Sequence, residues 1–164
     1  MRFVLLLALC LVGFSTALSP ARAADPIVSP ERGSPLRAAV LDAARPLFEQ
    51  ETGGPVEFVI NTLNVMGEWA YGDVQLQRPG GSPIDWRKTK FAADFTQGML
   101  ETGHNLFLLQ QTGGKWIVVE YAVGPTDIAW DWWRQQRNLP AELFGASSAD
   151  FPPPARGAQP RSGN

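Results

Sequence analysis

Tyr71 and Asp73 stand two residues apart in a segment rich in strand-forming types, so both project from one face of a strand, near Trp69. A phenol donor beside a carboxylate among aromatic rings can move a proton next to a carbonyl: the phenol polarises the oxygen and the carboxylate takes the proton. The plainer reading, which we prefer at this level, is an aromatic ladder with a charge at its solvated end. His104 is the single histidine and follows Gly103 in a turn signal. A Ser/His/Asp triad would have to use it, yet no Gly-x-Ser-x-Gly elbow presents a serine. The expectation for His104 is a surface turn position. Asp127 and Asp131 are one helical turn apart, and Thr126 or Asp127 fits the cap of the helix that follows.

Metal and cofactor signatures are missing from the pattern. One histidine and a single cysteine, Cys10, give no zinc spacing, and no acidic loop follows the calcium pattern. Gly53-Gly54, Gly80-Gly81 and Gly113-Gly114 precede neither Gly-Lys-Ser/Thr nor a dinucleotide fingerprint. The sequence therefore implies no cofactor and no metal.

The elements that would position these residues begin with Ser34-Pro35, a hydroxyl N-cap followed by proline at the first helical position. Leu36, Val40, Leu41, Ala44, Leu47 and Phe48 then form one apolar stripe up to Gly53-Gly54. Pro46 inside that stripe removes an amide donor and is expected to kink or split the helix. A turn at Gly67-Glu68 pairs Met66 with Trp69 and Leu63 with Gly72. It puts Val59, Leu63, Val65, Ala70, Val74 and Leu76 on one face, opposite Ile60, Thr62, Asn64, Met66, Trp69, Tyr71 and Asp73. Phe91, Phe95 and Met99 recur every four residues and suggest a short helix ending near Gly98 or Gly103.

Asn105–Val123 is the clearest hairpin, two apolar runs around Gly113-Gly114. Leu109 opposes Val118, Leu108 opposes Val119 and Phe107 opposes Glu120. One face holds Leu106, Leu108, Ile117, Val119 and Tyr121, and the other holds Phe107, Leu109, Trp116, Val118 and Glu120. Both faces are apolar, so something must cover each. The tryptophans at 130, 132 and 133 mark a last helix, and burying each large apolar side chain is worth roughly 1.5–3 kcal/mol.

Arg2, the apolar run Phe3–Leu18 and the small-x-small site Ala21-Arg22-Ala23 read as a secretory signal peptide. Its removal takes Cys10, Arg2 and Arg22 with it, leaving a cysteine-free chain of 141 residues with 12 basic and 16 acidic side chains. That balance gives no footprint for nucleic acid, and no second apolar stretch approaches the length of a membrane span. Residues 24–34 read as an irregular leader, 35–144 as a single domain, and 145–164 as a disordered Pro/Gly-rich tail. Eleven arginines against three lysines suggest a bacterial source, hence a periplasmic or secreted location.

Gly67-Glu68-Trp69-Ala70, Gly81-Ser82-Pro83-Ile84-Asp85-Trp86, Gly114-Lys115-Trp116 and Gly124-Pro125-Thr126-Asp127 with Trp130 resemble the pattern of a family of small secreted bacterial proteins. That family has no established activity, so the resemblance implies a fold and no catalytic residue. More loosely, the order of elements is similar to cystatin-like and nuclear-transport-factor-like α+β cones. The expected fold is α+β: one helix on a curved antiparallel sheet of about four strands, with the tryptophan-rich helix or a second subunit on the other face. The expected function is a non-enzymatic exported binding or interaction module. Its ligand or partner surface would be Met66, Trp69, Tyr71, Phe107, Leu109 and Trp116, for a protein partner, a small apolar ligand or a second copy of the chain. The competing expectation is a small-molecule enzyme with Tyr71 and Asp73 at the mouth of the cone.

Overall fold

The computed structural model describes residues 25–152, so the expected signal peptide lies outside the described residues. The fold is α+β, a five-stranded antiparallel sheet in the order β1-β2-β3-β4-β5 with helical segments packed on it. The strands are β1 (Ile27–Val28), β2 (Glu57–Met66), β3 (Trp69–Gln77), β4 (Asn105–Thr112) and β5 (Lys115–Val123). The helices are α1 (Pro35–Thr52), α2 (Ala92–Thr96) and α3 (Ala129–Arg137), with 3₁₀ turns at Trp86–Lys88 and Ala141–Phe144. The fifth strand comes from the expected leader, where Ile27 pairs with Met66 and Val28 with Val65. No helix among the described residues is long and apolar enough to cross a membrane.

Helix α1 starts where its chemistry dictates. Ser34 Oγ accepts from the Arg37 amide at 3.2 Å, and Gly53 closes the helix at φ 71° with its amide on the Glu49 carbonyl. Of the two outcomes expected at Pro46, a kink or a split, the split does not occur: α1 is continuous through it. The proline costs one helical bond, while Val40, Ala44 and Phe48 on either side are fully buried against the sheet and hold the turns together.

Both hairpins turn where glycine permits positive φ, at Gly67 and at Gly113-Gly114. Each hairpin also carries a β-bulge that strict alternation does not foresee. In the first, Asn61 is the extra residue between Ile60↔Val74 and Thr62↔Asp73. Beyond it the faces exchange: Phe58 and Ile60 join the core side, and Val59 is left 42 % exposed. In the second, the register shifts at Val119, so Leu108 opposes Glu120 and Phe107 opposes Tyr121. Tyr121 consequently reaches α1, where its hydroxyl donates to Glu51 at 3.3 Å, and Glu120 reaches α3, where Arg137 donates to it at 2.6 Å.

Two apolar clusters result, one on each side of the sheet. Under α1 lie Val40, Phe48, Leu63, Val74, Phe107 and Leu109, joined by Trp86 from the first 3₁₀ turn. On the opposite side Tyr71, Leu106 and Leu108 meet Trp133, Leu139, Leu143 and Phe144. The chain itself covers the second face, using α3 and the turn after it. Asn64 fastens this cover, donating to the carbonyls of Glu142 and Leu143 at 3.3 and 3.1 Å. The packing runs on past Phe144: Phe151 meets Trp130 edge-on at 4.8 Å, and Arg134 donates to the Pro152 carbonyl. The remainder of the Pro/Gly-rich tail lies outside the described residues.

Candidate functional site: a cavity at the Asp73 end of the second face

The C-terminal cover leaves one end of the second face open. There a cavity of about 480 Å³ is lined by Tyr71, Asp73, Glu101, His104, Thr126 and Asp127, with Leu106, Pro125, Ile128 and Trp130 as its apolar part. This volume and this mixed lining suit a small organic molecule. Four separate segments converge on it. Strand β3 supplies Tyr71 and Asp73, the loop before β4 supplies Glu101 and His104, β4 supplies Leu106 opposite Asp73, and the loop after β5 leads through Thr126 and Asp127 to Trp130.

Asp73 is held from two directions. Asn61 Nδ2 donates to its Oδ1 at 3.2 Å, and His104 Nδ1 lies 2.8 Å from its Oδ2. An ionised carboxylate only accepts, so the imidazole proton sits on Nδ1 and Nε2 is left for another partner. The Asp73 side chain is 15 % exposed and that of His104 54 %, so this is a half-wet pair whose worth is orientation more than stability. The bulge at Asn61 has a purpose here. Its amide bridges Asp73 and the Gly103 carbonyl, the latter at 2.9 Å, and so ties the histidine loop to the sheet.

Behind the mouth, Asn105 is fully buried and completely bonded. Its amide donates to the Val74 carbonyl at 3.0 Å and to the Thr102 carbonyl at 3.4 Å, and its oxygen accepts from the Gly124 amide at 3.2 Å. The Glu101 amide in turn donates to the Gly124 carbonyl at 2.9 Å. Gly124 sits at φ 55° against Leu100, where a Cβ would overlap the leucine side chain. One side chain thus fixes the spacing of three cavity-forming segments.

Tyr71 forms the floor. It is 2 % exposed, and its ring stands 4.8 Å from Phe144, which stacks on Trp130 at 5.2 Å. No hydrogen bond to the phenol exists among the described residues, yet no buried side-chain oxygen or nitrogen is left unsatisfied. The hydroxyl therefore opens on the cavity rather than into packed protein. Burial first, and the Asp73 charge second, push its pKa well above its ordinary value near 10. The folded state keeps the phenol proton to higher pH than the unfolded state does. That contribution is intact below pH about 10 and is lost as pH rises further. Alkaline titration followed by tyrosinate absorbance is expected to show Tyr71 ionising only with unfolding. In Tyr71→Phe this late step disappears and the alkaline limit of stability moves up. An early two-tyrosine step in the native chain would contradict the burial.

The six residues expected to share a ligand surface do not share one. Met66, Trp69 and Tyr71 belong to the second face beneath the C-terminal cover, whereas Phe107, Leu109 and Trp116 belong to the α1 side. The cause is pairing: Phe107 lies opposite Gly72, and Tyr71 opposite Leu108, so the two rings point to opposite faces. Asp127 is not a cap, since α3 begins at Ala129 with Ile128 as its N-cap residue and no side-chain cap bond, and it lines the cavity instead. Asp131 is bound within its own helix by Arg134 at 2.8 Å and Gln135 at 2.6 Å. Tyr71 and Asp73 do come together on one cavity, and His104, expected only at a turn surface, joins them. Sequence reasoning missed Asn61, Glu101 and Asn105. The strand-breaking asparagine at 61 was the one available signal.

No family model matches the chain, and neither a curated protein nor a solved structure is found that is similar to it.

Proposed function

We propose that this protein is an exported binding module for a small organic molecule, which it takes into the cavity over Tyr71. The observation that carries this reading is the Tyr71 hydroxyl, set in a 2 % exposed side chain, without a protein partner and open to a cavity of about 480 Å³. The hydroxyl has no hydrogen bond among the described residues, so a bound molecule can donate to it or accept from it without displacing a protein partner. Export rests on the Arg2, Phe3–Leu18 and Ala21–Ala23 pattern.

The test is a fragment screen by amide NMR on the native chain. Binding fragments are expected to shift residues of 71–73, 101–106 and 125–130 together, and Thr126→Trp, at the exposed rim, is expected to abolish those shifts with the fold intact. Fragment shifts scattered outside these segments would contradict the reading. A second reading, proton transfer on a bound carbonyl compound, is favoured by the Asp73–His104 contact, which leaves Nε2 as a base beside a protonated phenol. Bound fragments recovered unchanged after long incubation support binding alone. Conversion that Asp73→Asn stops would support catalysis.

A further inference from the structure

We infer that the cavity selects an organic amine, its ammonium held among Asp73, Glu101 and Asp127 and its apolar body against Leu106, Ile128 and Trp130. This inference rests on the small-molecule reading above and names the ligand's charge. The lining carries three carboxylates and neither lysine nor arginine. Its one nitrogen base, His104, is already bonded to Asp73. Among the described residues Glu101 and Asp127 make no ion pair; Glu101 accepts only from the Gly103 amide at 3.1 Å, and Asp127 has no hydrogen bond.

The acidic lining alone would be an ordinary wet rim. What turns it into a site is the floor beneath it. The Tyr71 hydroxyl has no hydrogen bond among the described residues, faces the same cavity and can accept an N–H, while the carboxylates around it set the sign of the charge. Like charge disfavours an anionic ligand, because nothing on the lining is permanently positive. The apolar wall of Trp130, Ile128 and Leu106 strengthens the field of the carboxylates over that of an open surface. An aromatic wall beside carboxylates is also the environment in which ammonium groups are well held.

Three probes of similar size separate charge from shape: 2-phenylethylamine, 2-phenylethanol and phenylacetate, each titrated into the full chain and followed by amide shifts. The amine is expected to bind at residues 71–73, 101–106 and 125–130 about tenfold or more tightly than either other probe, a factor worth about 1.4 kcal/mol. The double variant Glu101→Gln/Asp127→Asn, both positions being exposed, is expected to keep its melting temperature and lose most of that preference. Its affinity for 2-phenylethanol stays as it was. Added salt is expected to weaken the amine alone. Equal or tighter binding of phenylacetate or 2-phenylethanol at the same residues overturns the amine assignment and leaves the cavity reading standing. Silence from all three probes, with other fragments still shifting the cavity, likewise overturns the amine alone. Silence from every fragment overturns both.

Discussion

Phe107→Ala is expected to lower the unfolding free energy by about 3–5 kcal/mol, a large part of the 5–15 kcal/mol that holds a domain of this size together. Phe107 is fully buried in β4, the first strand of the second hairpin. Its ring meets Phe48 of α1 at 6.1 Å and Phe58 of β2 at 6.3 Å, so one side chain joins helix, first hairpin and second hairpin. The tip of its ring fills the space over Gly72, where a Cβ would overlap it. The absence of a side chain at 72 is what lets the ring lie across β3. Gly72→Ala is therefore expected to be destabilising too, by about 1–3 kcal/mol through overpacking, although alanine usually improves on glycine in a strand. Urea unfolding measures both. A loss below about 1 kcal/mol for Phe107→Ala would mean that the helix and the two hairpins do not meet at this ring.

Asn105→Leu is expected to cost roughly 2–5 kcal/mol despite nearly conserving volume, since it removes a polar hub and not a packing group. The Gly124 amide and the Val74 carbonyl lose their buried partner together, each at about 1–3 kcal/mol. The distinguishing feature is locality. Amide hydrogen exchange is expected to rise first at 101–104 and 124–128, the two loops that Asn105 ties to β3, while the α1 side keeps its protection. Uniform loss of protection across the chain would argue that Asn105 is an ordinary core position. Asn105→Asp, which keeps the acceptor for Gly124 but loses the donors, is expected to fall between leucine and the native residue in this local effect.

The architecture was legible where periodicity and turn chemistry agree. Ser34-Pro35 and Gly53 bound α1 as read, and Gly67-Glu68 and Gly113-Gly114 turn the two hairpins in the expected register near the turns. The errors begin at the bulges. Alternation assumes one residue per pleat, and the extra residue at Asn61 or Val119 reverses every face beyond it. That is why Val59, Ile60, Glu120 and Tyr121 each stand on the side opposite to expectation. The expected single ligand surface divides between two faces for a different reason: the β3–β4 register sets the relative phase of the two hairpins, and that register is not local information. Placing Phe107 against Gly72 was open to packing logic, but only once β3 and β4 were known to pair.

The candidate site was legible in half. Tyr71 and Asp73 two apart on a strand is a local fact, and it survives. His104 reaches Asp73 across 31 residues of chain, and Glu101 and Asp127 reach the same cavity only because Asn105 holds the two loops together. Thr126 or Asp127 suits a helix cap by residue type, but α3 starts at Ala129 with Ile128 at its N-cap and leaves both to line the cavity.

The most direct measurement is intermolecular nuclear Overhauser contacts between a bound 2-phenylethylamine and the side chains of the native chain. The account predicts contacts from the ligand to the Tyr71 ring and to the Trp130 indole at once, since these groups face the same cavity from β3 and α3. Contacts confined to Trp116, Ile117 or Tyr121 on β5, with none to Tyr71, would contradict it.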